Sequence, residues 1–135
     1  MTTATSKYLG QLRIESEHTK SGKQLLTDAP MDNNGKGEAF SPTDLVATAL
    51  ANCMLTVIGI KANSWGKDLG QESGASIVKS MASAPRRISQ IDVELNLYGD
   101  FSDEERQTLK KIAQACPVAR SLHPDLKQEI SIVWH

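Results

Sequence analysis

Aromatic side chains are scarce in this chain, at 4% of 135 residues, two each of Trp, Tyr and Phe. Leu, Ile, Val, Ala and Met must therefore fill the core, and so thin a core invites extension by dimerising. An excess of positive charge is also missing. The net charge is −1, the Lys and Arg residues are scattered, and no RNA-binding aromatic motif is present, so a nucleic-acid partner is not expected. Residues 1–7 are polar and lack the apolar centre of a signal peptide. The longest apolar stretch, residues 45–60, is broken by Asn52 and Thr56 and falls short of the roughly 20 residues a membrane span needs. A cytoplasmic location with no membrane partner is expected. Metal-ligand spacing is absent as well. Neither Cys-x-x-Cys nor His-x-x-x-His occurs, so His18, His123 and His135 are not expected to hold zinc. The glycines make no phosphate cradle, and no cofactor is expected.

What the chain does have is two cysteines, Cys53 and Cys116. Cys53 lies inside the apolar stretch 45–62, and Cys116 closes an apolar stripe just before Pro117. In the cytoplasm paired thiols are more often redox-active than structural. Each also has a plain reading. Buried cysteines commonly pack as small apolar side chains, and apolar surroundings raise a thiol pKa. Cys116 differs, because an N-cap position before Pro117 would favour thiolate through the backbone N–H groups that follow. His123 offers Cys116 a base in principle, but His123-Pro124 reads as loop punctuation.

At this length one domain, 1–135, is expected. Residues 8–17 alternate as a half-buried strand, residues 18–22 turn, and residues 23–27 form a second strand of a hairpin. A loop covers 28–40. Ser41 then reads as an N-cap, Pro42 as the first helical residue and Asp44 as a capping-box acid, opening a helix to about residue 65. That helix is apolar nearly all round, which predicts burial on most sides. Strands are expected over 75–83 and 88–98, joined by a turn carrying Arg86 and Arg87. A second capping box at Ser102 opens a helix through Ala115, Pro117 restarts it for one turn, and a last strand ends at Trp134. The order is β-β-α-β-β-α-β, an α+β pattern. Arg86-Arg87 is the one compact cationic group, able to hold a carboxylate, a phosphate or a thiolate.

Ser41-Pro42-Thr43-Asp44-Leu45, then Ala47-Thr48-Ala49-Leu50-Ala51-Asn52-Cys53, and about sixty residues later Ala115-Cys116-Pro117-Val118-Ala119 together resemble the OsmC/Ohr family. These are the osmotically induced protein C and organic hydroperoxide resistance proteins. The resemblance covers essentially the whole chain. It implies the OsmC-like α+β fold as an intertwined homodimer with sheets wrapped around central helices. It further implies a thiol-dependent peroxidase acting on organic hydroperoxides in oxidative stress. Cys53 matches the peroxidatic cysteine and Cys116 the resolving one, and an external dithiol restores both. The family's peroxidases carry a glutamate after the helix-opening proline and an arginine in the N-terminal hairpin loop. Thr43 stands at the first position. The hairpin loop read here, 18–22, and its flank offer His18, Lys20 and Lys23 but no arginine. The SPTDL start resembles the less characterised OsmC-like branch, with Asp44, Arg86 and Arg87 as the available thiolate-activating groups. The alternative is a catalytically weak or non-enzymatic OsmC-like dimer that binds a small apolar or acyl ligand.

Overall fold

In the computed structural model, which describes residues 1–135, the chain forms two compact units, Met1–Val46 and Ala47–His135. Each carries one three-stranded sheet, so the architecture is mixed α+β.

The first unit is an antiparallel meander of β1 (Ala4–Gly10), β2 (Arg13–His18) and β3 (Gln24–Asp28). The single strand expected over 8–17 is thereby corrected to two. Gly10, Gln11 and Leu12 all take positive φ, at 91°, 55° and 64°, and reverse the chain there. Alternation of apolar and polar residues runs through this turn undisturbed, so periodicity alone cannot reveal it. The turn expected at 18–22 is present, closed by the His18 N–H on the Lys23 carbonyl at 2.8 Å. The segment after β3 contains a short 3-10 turn, Met31–Asn33. Its base is tied by the Asp28 N–H on the Phe40 carbonyl at 3.0 Å.

Asp28 anchors this unit. It is 1% exposed, and Arg13 grips it with two bonds, Nε to Oδ1 at 2.8 Å and a terminal guanidinium N–H to Oδ2 at 2.9 Å. The Glu38 N–H adds a third bond at 3.1 Å. The Arg13 hydrogen bonds hold the Asp28 carboxyl below the usual carboxylate range, against the opposing effect of burial. A carboxyl whose folded pKa is depressed contributes stability above its unfolded pKa, near 4. That stability is lost as pH falls through the folded value. Acid unfolding followed by circular dichroism is expected to begin at higher pH in Asp28→Asn than in wild type. Coincident acid transitions would refute the anchoring role.

Ser41 opens α1 (Pro42–Ser64) with the expected reciprocal cap. The Asp44 N–H reaches Ser41 Oγ at 3.0 Å, and the Ser41 N–H reaches Asp44 Oδ2 at 3.0 Å. The helix continues into the second unit, where β4 (Gly74–Ala82) pairs antiparallel with β5 (Arg87–Leu97). β5 pairs parallel with β6 (Lys127–Trp134). Between β5 and β6 run α2 (Asp103–Gln114) and the one-turn α3 (Pro117–Ser121). The capping box at Ser102 and Glu105 is complete, and Cys116 caps α3 ahead of Pro117. The order therefore exceeds β-β-α-β-β-α-β by the extra N-terminal strand and by the expected restart at Pro117.

The core of the second unit joins one face of α1 (Ala47, Leu50, Ala51, Met54, Ile58, Ala62) to one face of β5 (Ile91, Val93, Leu95, Leu97), with Leu109 and Ala113 of α2. Period two on β5 and steps of three and four on the helices put these residues on one side of each element. Two expectations about α1 need correction. At 23 residues it is long and apolar enough to cross a membrane, and six of its residues are buried in this core. Nor is it enclosed all round, since Val46 and Ile60 are 37% and 63% exposed.

Candidate active site

Cys53 sits midway along α1, half-buried and packed against the core. Cys116 is 1% exposed at the N-cap of α3. The fold brings the two thiols close enough for Cys53 to act on the titration of Cys116, and both are free. The position of each cysteine on its element follows from the local sequence. Cys53 lies one turn before Val57 on α1, and Cys116 terminates the Leu109, Ile112, Ala113 stripe of α2, so each sulfur points along an apolar face.

The two sulfurs are not equivalent. Burial pushes the Cys116 thiol up, and the neighbouring Cys53 pushes it the same way. The Ala119 N–H, 3.4 Å from Cys116 Sγ, and the Val118 N–H oppose this without overcoming it. The N-cap groups expected to favour thiolate at Cys116 do act in that direction, but burial outweighs them. A five-residue helix brings few aligned peptide dipoles, whereas desolvation acts in full on a sulfur shut away from water. At neutral pH, iodoacetamide is expected to alkylate the more exposed Cys53 well before Cys116, as peptide mass would show. Preferential labelling of Cys116 would overturn this ordering.

No cation is among the groups acting on the Cys116 thiol. Arg86 and Arg87 are exposed on the β4–β5 turn, where Arg87 donates to the Pro85 carbonyl at 2.9 Å and the Ser83 carbonyl at 3.4 Å. Asp44 is engaged in the helix cap, beside Thr43, whose hydroxyl meets Ser41 Oγ at 3.2 Å. The histidines lie in other surroundings. His18 meets Ser21 Oγ at 2.7 Å, and His123 Nδ1 accepts the Asp125 N–H at 3.0 Å. His135 stacks on Tyr98 with centroids 4.4 Å apart.

One residue escaped the sequence reading. Arg13 was assigned to the middle of a strand, but it opens β2 directly after the Gly10–Leu12 turn. The N-terminal hairpin therefore does carry an arginine, oriented by Asp28 and lying 3.6 Å from Glu38 Oε1. Gly10 was the available signal, because an isolated glycine in a strand pattern marks a bend or bulge.

Comparison with known proteins agrees with this architecture. The family model described as OsmC-like protein matches residues 35–131. A crystal structure from Psychrobacter arcticus 273-4, named for an osmotic stress induced and detoxification response, is 45% identical, with a TM-score of 0.94 over 98% of this chain and 96% of that one. An OsmC-like protein from Mycoplasma pneumoniae shares the fold at 15% identity and a TM-score of 0.79, covering 97% and 94% of the two chains. An organic hydroperoxide resistance protein OsmC from Legionella pneumophila does so at 21% identity and 0.69, covering 96% and 93%. No curated protein matches the chain.

Proposed function

The chain belongs to the OsmC-like protein family, and from that membership we propose that it is a thiol-dependent peroxidase reducing organic hydroperoxides through Cys53 and Cys116. The observation that carries this reading is the proximity of the two free thiols, close enough for Cys53 to shift the titration of Cys116. Family relatives named for hydroperoxide resistance agree with such a substrate. The Cys53 thiolate attacks the terminal peroxide oxygen, the O–O bond breaks, and the alkoxide leaves and takes up a proton as the alcohol. Cys53 is left as a sulfenic acid. The Cys116 sulfur displaces its hydroxyl, forming the disulfide and releasing water. An external dithiol then supplies two electrons and two protons, regenerating both thiols and becoming a disulfide itself. A cytoplasmic location suits a cycle that depends on reduced thiols.

A thiolate at neutral pH needs a nearby cation. Arg86 and Arg87 are the candidates from the β4–β5 turn, with Asp44 as an orienting acid. Arg13 joins them as the one arginine that the N-terminal hairpin carries. Each is replaced by Met in turn, and stopped-flow oxidation of Cys53 is followed; the responsible residue is the one whose loss slows that step.

The working unit proposed is one OsmC-like domain, residues 1–135, as a homodimer. Tyr8, Leu9, Leu12, Leu25 and Leu26 of the first unit are 41–61% exposed, an apolar burden that a second copy would cover. Sedimentation of a stable monomer at micromolar concentration would count against this assembly.

The second reading, a dimer that binds a small apolar or acyl ligand without turnover, is favoured by Thr43 in the position of the activating glutamate. Free-thiol counting by mass after treatment with cumene hydroperoxide separates the two. Loss of two thiols per chain supports the peroxidase, and retention of both supports the binding protein.

A further inference from the structure

We propose that Gln128 and Arg120 are positioning residues for Cys116, fixing the α2–α3 elbow that presents its sulfur to Cys53 when the two thiols close into a disulfide. The inference rests on the peroxidase reading only for the natural oxidant; the elbow serves any oxidation that ends in that bond.

Pro117 interrupts the helical run at the elbow, and the last carbonyls of α2 find no partner within their own helix. Side chains supply what is missing. Arg120 reaches back across the break, where its Nε–H donates to the Ala115 carbonyl at 2.9 Å. Its backbone N–H donates to the Cys116 carbonyl at 3.0 Å. Cys116 is thus bracketed by two bonds from one residue. Gln128 of β6 adds the second clamp, with Nε2 donating to the Ala119 carbonyl at 3.0 Å. The N–H of the same Ala119 lies 3.4 Å from Cys116 Sγ. Ala119 is therefore tied to the sheet through its carbonyl and to the sulfur through its amide.

Gln128 stands out on its own strand. It shares the half-buried face of β6 with Ile130, Ile132 and Trp134, where an amide is costly unless it is hydrogen-bonded. Its partner is α3. That helix has five residues, and Ala119 is its one buried residue. So short a helix does not hold its shape by backbone bonds alone, and one alanine buries little apolar area. The clamps supply the rest. Disulfide closure is demanding in geometry, so a sulfur on an unfixed turn closes more slowly.

The test uses the full chain with diamide, a thiol oxidant that needs no peroxidase. Diamide adds to one thiolate and takes up a proton; the other sulfur then displaces the hydrazine, giving the disulfide. Closure from the adduct is followed by acid quench, alkylation and mass. Gln128→Met keeps the side-chain length without the donor and is expected to slow closure about five- to tenfold, in keeping with one lost hydrogen bond. Arg120→Met slows it about twofold, because that bond is exposed, and Arg120→Lys restores the rate. Gln128→Met also moves the pH profile of closure upward, because Sγ loses the N–H that favours thiolate. Cys53 is the titratable group that bears on this sulfur, and no charged side chain does. A merely structural glutamine would lower the urea midpoint and leave that profile in place. Wild-type rate and profile in Gln128→Met overturn the proposal. Should that variant not fold, equal closure by Arg120→Met and Arg120→Lys overturns it. In a second arm cumene hydroperoxide replaces diamide, and Gln128→Met accumulates more over-oxidised Cys53 than wild type. Diamide closure that depends on Gln128, with no thiol lost to hydroperoxide, defeats the peroxidase reading and leaves this inference standing. Hydroperoxide turnover with no dependence on Gln128 does the reverse.

Discussion

In the proposed peroxidase, Cys53→Ser is expected to abolish hydroperoxide consumption by the purified protein in the presence of a dithiol, a loss of more than about a thousandfold, because the group that makes the covalent bond is removed. Serine cannot substitute, because a hydroxyl is not ionised at neutral pH and oxygen is the poorer nucleophile toward peroxide. Cys116→Ser is expected to give a different outcome: one equivalent of hydroperoxide consumed, turnover stopped, and sulfenic or over-oxidised Cys53 accumulating. The asymmetry comes from the site itself: Cys53 is reachable, whereas Cys116 is buried and its thiol pushed up. Mass spectrometry of the two variants after a single addition of cumene hydroperoxide reads both results. Equal oxidation of Cys53 in wild type and Cys116→Ser, with continued turnover in the variant, would exclude Cys116 as the resolving thiol.

Leu50→Ala is the expected severe stability variant. Leu50 is fully buried on α1, within the cluster it shares with Met54, Ile91 and Leu109. Truncation of a buried leucine costs about 2–5 kcal/mol, through lost transfer energy and the cavity left behind. The whole stability of a domain is about 5–15 kcal/mol, so much of it would disappear. Urea unfolding should show a lowered midpoint with an unchanged slope. A cost below about 1 kcal/mol would mean that α1 is not the centre of this core. In a homodimer that buries the exposed apolar residues of the first unit, Leu25→Ser is instead expected to weaken assembly and so lower the unfolding midpoint at a given protein concentration.

Much of the fold was legible because local chemistry and global position agree. Ser41-Pro42-Thr43-Asp44 starts α1 where a cap, a fixed φ and a first-turn acid all belong. Ser102 and Glu105 do the same for α2. The alternation of Ile91, Val93, Leu95 and Leu97 matches the buried face of β5. Where the reading went astray, local and global signals had parted. The pattern over 8–17 continued through a turn made by positive φ angles at Gly10, Gln11 and Leu12, for which Gly10 was the one sequence signal, and Arg13 was misplaced with it. α1 looked enclosed because its composition is apolar on all sides, yet composition does not state what one chain alone can cover.

The sequence by itself determined the element types, their caps, and the presence of two cysteines on apolar helix faces, because these depend on residues within a few positions of one another. It also carried the family pattern. Only the tertiary structure decided that the two thiols lie near enough to influence each other, since they are about sixty residues apart and their proximity depends on how α1 and α2 pack. It alone decided that burial outweighs the N-cap at Cys116, because desolvation is a property of everything packed around a group, whereas the cap is a property of the three residues that follow it. And it alone joined Arg13 to Asp28, a pair brought together by strand register across two turns, which no local rule could have specified.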